Sequence, residues 1–155
     1  MAVGTDQQCP LCGAPPQAWV RDIQRDAYYC ECPNCGTFIV ARQALPDLRG
    51  EGDLKTQRYI LSGLSRASHD AGGRLVITPD NIRQLLASHA PPPNPLKAID
   101  RLVEYLSTRQ TDAAAYVPLN MRGAVVTAKS ATEFHFLTQV AASVTRPTKS
   151  LASVK

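Results

Sequence analysis

Cys9-Pro10-Leu11-Cys12-Gly13 and Cys32-Pro33-Asn34-Cys35-Gly36 are two copies of one pattern, C-P-x-C-G, with 19 residues between Cys12 and Cys32. A C-x-x-C turn lets two sulfurs reach one metal ion, and two such turns complete the tetrahedron of soft ligands that Zn²⁺ takes in structural sites. The glycine after each pair can adopt positive φ and lets the backbone fold tightly around the ion. Cys9, Cys12, Cys32 and Cys35 are therefore the expected ligands of one structural Zn²⁺ per chain. Four sulfurs leave no coordination position for water, which argues against a catalytic metal. Cys30, the odd cysteine, stands two residues before Cys32 and could in principle replace it. It falls outside the repeated frame, in a strand-like stretch, and reads as a small buried thiol.

Residues 17–24, 27–31 and 37–41 are rich in aromatic and β-branched side chains and predict a short antiparallel ribbon. So short a ribbon has little apolar area to offset its ordering entropy, so metal binding should drive its folding. With its two knuckles, the stretch 1–42 resembles the Cys₄ zinc-ribbon family. Members of that family bind DNA, RNA or protein, so the resemblance implies a metal-stabilised recognition module without choosing its partner.

Beyond a Pro- and Gly-containing connection at 45–52, the spacing predicts a helix over 54–69, with Ile60, Leu61, Leu64, Ala67 and Ala71 near one face, ended by Gly72-Gly73. Thr78 reads as an N-cap, with Pro79 at the first helical position and Ile82, Leu85, Leu86 and His89 following at helical spacing. Pro91-Pro92-Pro93-Asn94-Pro95 reads as a rigid connection rather than a polyproline ligand, with Asn94 capping a helix whose stripe is Leu96, Ile99, Leu102, Val103 and Leu106. Residues 116–119 and 124–127 have strand character. Ser130-Ala131-Thr132-Glu133 is a capping box for a last helix that would bury Phe134, Leu137, Ala141 and Val144. The expectation is an α+β protein: a zinc ribbon at 1–45, a small bundle of about four helices at 46–144, and a flexible tail at 145–155. The ribbon followed by I-T-P-D-N-I (77–82) and P-P-P-N-P-L-K-A-I-D-R-L (91–102) also resembles the N-terminal region of larger bacterial proteins that carry a separate effector domain.

Of the 155 residues, 44% are hydrophobic and 19% charged, an ordinary globular balance. No run approaches the roughly 18 apolar residues that span a bilayer, and residues 1–8 lack a basic start and an apolar stretch. A cytoplasmic location without membrane contact is expected, where reducing conditions favour metal ligation over disulfides. The net charge is +4, but residues 1–45 hold three Arg/Lys against four acids, so the ribbon is acidic even before its thiolates are counted. Lys55, Arg58 and Arg66 on the first helix, with Arg49 before it, share a broad face that could meet phosphates, which makes DNA or RNA the leading partner. Glu51 and Asp53 dilute that patch, so a solvated helix face is the simpler reading of it. Trp19, Tyr28, Tyr29 and Phe38 could stack bases or fill the ribbon's own core. The competing class is a protein-interaction or scaffold module in which the acidic ribbon docks a protein.

No P-loop, dinucleotide-binding, nucleophile-elbow or H-E-x-x-H motif occurs, so neither enzyme activity nor a small-molecule substrate is expected. Of the three histidines, His69 and His89 are placed to bond the last carbonyls of helices, and His135, between Phe134 and Phe136, is expected to be half-buried.

Overall fold

In the computed structural model of the chain, residues 7–109, 123–129 and 131–145 are described. They form a mixed α+β fold. Strands β1 (Ala18–Asp22), β2 (Ala27–Cys32) and β3 (Gly36–Ala41) pair antiparallel in chain order. The β1–β2 turn is set by Asp22, whose Oδ1 accepts the N–H groups of Gln24 and Arg25 at 3.1 and 3.2 Å. A fourth strand, β4 (Leu75–Ile77), joins β3 in parallel and completes the order β1-β2-β3-β4. Helices α1 (Leu45–Arg49) and α2 (Asp53–Asp70) lie between β3 and β4 in the chain. The connection expected at 45–52 thus contains a helical turn, with Pro46 at its start where a missing N–H costs nothing.

Cross-strand partners share a face. Trp19, Cys30, Phe38 and Leu75 stand in one row, with Cys30 and Phe38 fully buried against the core. The next row, Val20, Tyr29, Ile39 and Val76, lies on the opposite side, where Val20 is 56% and Val76 46% exposed.

Helix α2 packs against β3 on one side and a 3₁₀ turn, Gly123–Val126, on the other. Its buried residues are Leu61, Ser62, Gly63, Ser65 and Arg66, while Ala67 of the expected stripe is exposed. A helix covered on two sides needs small residues where neighbours approach and bonded polar ones where it meets backbone, so its buried set departs from a simple apolar stripe.

Helices α3 (Ile82–Ser88), α4 (Pro95–Arg109) and α5 (Ala131–Thr145) follow. Regular helix begins at Ile82, yet Thr78 and Asn81 exchange side-chain-to-backbone bonds of 2.8 and 3.3 Å, a capping-box pattern with Asn81 in the usual Glu position. Asn94 caps α4 by accepting Lys97 N–H at 3.0 Å. The buried side of α4 is Ala98 and Leu102, flanked by Ile99 and Leu106, whereas Leu96 and Val103 of the expected stripe are 72% and 44% exposed. The strand expected at 124–127 is the 3₁₀ turn, closed by Thr127 at φ 54. Glu133 does reach back to a backbone N–H, that of Lys129. The strand expected at 116–119, Ser130 and the tail beyond 145 lie outside the described residues.

The main core joins Leu11, Phe38 and Val40 to Leu48, Leu61, Ile77 and Ile82, so it runs across residue 45. A second core holds Ala98, Leu102, Val126, Phe134 and Leu137. Among the described residues no helix is long and apolar enough to cross a membrane.

Candidate metal centre

The first knuckle is closed by Gly13 N–H to Cys9 O (2.8 Å) and Cys9 N–H to Ala14 O (2.9 Å). The second is carried on the β2–β3 turn. Gly13 and Gly36, the glycines of the two patterns, have φ of 75° and 78°, the left-handed region that costs a residue with Cβ about 1–2 kcal/mol. Gly36 is constrained twice, because a Cβ there would stand 2.5 Å from His69 Cβ.

These turns bring Cys9, Cys12, Cys32 and Cys35 together, with all four Sγ atoms within 4.8 Å of one another. Cys9 and Cys35 are 3.8 Å apart, Cys12 and Cys32 3.5 Å. Sulfurs about 2.3 Å from a tetrahedral ion lie about 3.8 Å from each other, so the set is positioned to hold one metal ion. Cys30 is fully buried on the sheet and is not among the four.

Hydrogen bonds from Cys12, Cys35 and Cys9 hold the Cys32 thiol far below its ordinary range. The bond with Cys32 raises Cys12, and burial raises Cys35, which is further raised by its bonds to the other sulfurs. Sulfurs held this close titrate as a set, and each negative charge placed on the set resists the next. A bound divalent cation removes that resistance, since it is the thiolate that ligates.

Helix α2 supplies the surroundings. Arg58 Nη1 donates to Pro10 O and to Leu48 O, both at 3.3 Å. Arg66 Nη1 donates to Pro33 O at 3.4 Å, and its Nε and Nη2 grip the two carboxylate oxygens of Asp70 at 3.2 and 3.1 Å. The two prolines hold equivalent places in the two C-P-x-C turns, so each knuckle receives one arginine. Between them the Ser62 hydroxyl lies 3.0 Å from Cys35 Sγ, within hydrogen-bond reach of it. At the end of the row His69 Nδ1 accepts Thr37 N–H at 3.3 Å and lies 3.0 Å from Thr37 Oγ1.

Of the three cations expected to meet phosphates, only Lys55 stands in solvent, paired with Glu51 at 3.0 Å. Arg66 is 3% exposed and Arg58 is partly buried, both turned inward by backbone carbonyls. This corrects the expected basic face: the carbonyls of two tight turns compete for the guanidinium groups more effectively than water does. Arg49 donates to Gln8 O at 3.4 Å and sits over the Trp19 ring.

Trp19 stacks on Tyr28 with centroids 4.9 Å apart, and Phe38 is fully buried, so these rings serve the core. Tyr29 lies on the open face under Arg74, its hydroxyl donating to Glu31 at 2.6 Å. His69 and His89 bond side chains and a neighbouring strand instead of helix carbonyls; His89 Nε2 is 3.1 Å from Thr127 Oγ1. His135 is exposed, bonded to Gln139 at 3.0 Å, because it faces away from the side of α5 that buries Phe134 and Leu137. Ser62 had no place in the sequence reading, and His69 was read as bonding helix carbonyls rather than Thr37. Their signal was the spacing 58, 62, 66, 69, one side of a helix that also carries Leu61 and Ser65.

No protein-family model matches the chain, and comparison with curated proteins and with solved structures found no match either.

Proposed function

We propose that the chain is a zinc-ribbon recognition module: Zn²⁺ held by Cys9, Cys12, Cys32 and Cys35 is structural, the protein is not an enzyme, and its partner is a protein. Zinc is favoured by the all-sulfur donor set and by sulfur separations matching a small tetrahedral ion. Four thiolates fill that shell, leaving no position at which water or substrate would be activated.

The observation that carries the protein partner is the row Val20, Tyr29, Ile39 and Val76, largely apolar, exposed at its two ends, half-buried between them, and flanked by charges of both signs, Glu31 and Arg74. Mixed charge around an apolar strip suits a protein surface, whereas phosphates need clustered free cations. Two of the three cations that favoured DNA or RNA are bound to backbone carbonyls.

Native mass spectrometry is expected to find one zinc per chain. Titration of the same sample with mixed DNA and RNA is expected to show no binding that weakens steeply with salt. Salt-steep binding would overturn the protein reading in favour of nucleic acid, and a folded, metal-free chain would overturn the zinc assignment.

A further inference from the structure

The two knuckles differ at their variable residue, and the difference decides what each touches. Leu11 of the first is 2% exposed and belongs to the main core. Asn34 of the second points the other way, and its Oδ1 accepts the backbone N–H of Ala124 at 2.8 Å. Ala124 belongs to the turn whose Val126 packs with Leu102 and Phe134 in the second core. A second route starts one residue earlier. Pro33 O accepts from Arg66, Arg66 holds Asp70, and Asp70 Oδ1 also accepts Arg109 Nη2 at 2.8 Å from the last residue of α4.

We propose that metal at the four-cysteine centre governs the docking of the C-terminal layer, made of α4, the Gly123–Val126 turn and α5, through Asn34 and through the relay Arg66–Asp70–Arg109. The proposal rests on the zinc reading above. Asn34 and Pro33 lie between two of the four ligands, so the ion that fixes Cys32 and Cys35 also fixes the acceptors presented to the layer. When the ion leaves, the sulfurs take up protons and lose their common partner, the turn relaxes, and both acceptors leave their donors.

Coupling of this kind is reciprocal: if metal favours docking, docking favours metal by the same factor. Metal affinity of the full chain, measured by chelator competition, therefore reports the link from its far end. Leu102→Ala perturbs the second core without touching the metal centre and is expected to weaken zinc affinity by about 5-fold or more. Asn34→Ala should weaken it too, and Leu102→Ala should then cost less than it does alone. Asn34→Asp, which keeps the acceptor, should retain the Leu102→Ala effect. Arg109→Ala, at a half-exposed side chain, cuts the relay without damaging the core and should lower affinity in its own right. Hydrogen exchange should show α4 and α5 deprotected by chelator in the wild type. Unchanged affinity in both Leu102→Ala and Arg109→Ala, or a Leu102→Ala effect that is undiminished by Asn34→Ala, would overturn the coupling while leaving the zinc reading intact. A wild-type chain that binds no metal would overturn that reading itself.

Discussion

The two knuckle glycines offer a comparison in which backbone and contact effects separate. Gly13 and Gly36 share a left-handed φ, but a Cβ on Gly13 meets nothing within 4 Å, while one on Gly36 falls 2.5 Å from His69 Cβ and 2.6 Å from His69 Cγ. Gly13→Ala should therefore cost only the backbone penalty, about 1–2 kcal/mol. Gly36→Ala carries the same penalty and must also open a carbon–carbon contact by about 1 Å to reach normal van der Waals distance. That opening moves α2 away from β3, over fully buried Phe38 and Leu61, at an overpacking cost of about 1–3 kcal/mol. The sum is about 2–5 kcal/mol. The check is guanidinium unfolding of both variants in zinc-saturated buffer, followed by circular dichroism, with zinc content measured on the same samples. His69→Ala is the decisive control. The 2.5 Å contact is with Cβ, which alanine retains, so the double variant Gly36→Ala/His69→Ala should recover little of the loss. Equal costs at the two glycines, or near-complete rescue by His69→Ala, would refute the argument.

Cys12→Ser or Cys35→Ser should remove a ligand from a closed shell and abolish stoichiometric zinc, whereas Cys30→Ser should keep one zinc per chain by native mass spectrometry. Arg66→Ala should cost about 1.5–3 kcal/mol in denaturant unfolding, because it takes a buried charged donor from the Pro33 carbonyl, while Arg109 still partners Asp70; a phosphate-contacting surface arginine would cost almost nothing. Burial, and secondarily the charge of Arg101, lowers the pKa of His89 in the fold. The unfolded chain then takes up a proton first, so stability present above about pH 6.5 is lost as pH falls, and His89→Gln should show a flatter melting-temperature profile over that range.

What was legible in the sequence is what short segments decide. The C-P-x-C-G repeat is local, its ligands are chemically uncommon, and three adjacent strands pair through tight turns. Thr78 and Asn94 were readable as caps because a cap bonds within three residues of itself. Strand β4 was not readable, since Leu75–Ile77 is too short to show alternation and its pairing with β3 is made across two intervening helices. Leu96 and Val103 were taken for core because α4 has more apolar residues than its one contact face can cover. The buried side of that helix follows Ala98 and Leu102, and the positions of the Gly123–Val126 turn and of Phe134 and Leu137 on α5 select them.

The arginines of α2 show why charge alone misleads beside a cysteine centre. Four thiolates with one divalent ion carry a formal charge of about −2, and burial makes that charge costly unless donors surround it. Arg58 and Arg66 act on the turns that carry the sulfurs, since each bonds a proline carbonyl in a knuckle. Basic residues beside such a centre thus serve the fold here, and their number alone says nothing about nucleic acid. Register carries the distinction. A phosphate-binding row lies opposite the buried residues of its helix, whereas Arg58 and Arg66 interleave with Leu61, Ser62 and Ser65, the residues that face the core. Arginine in phase with buried small and apolar residues marks support for the fold, and the same count of arginine out of phase would mark a surface for an anionic partner.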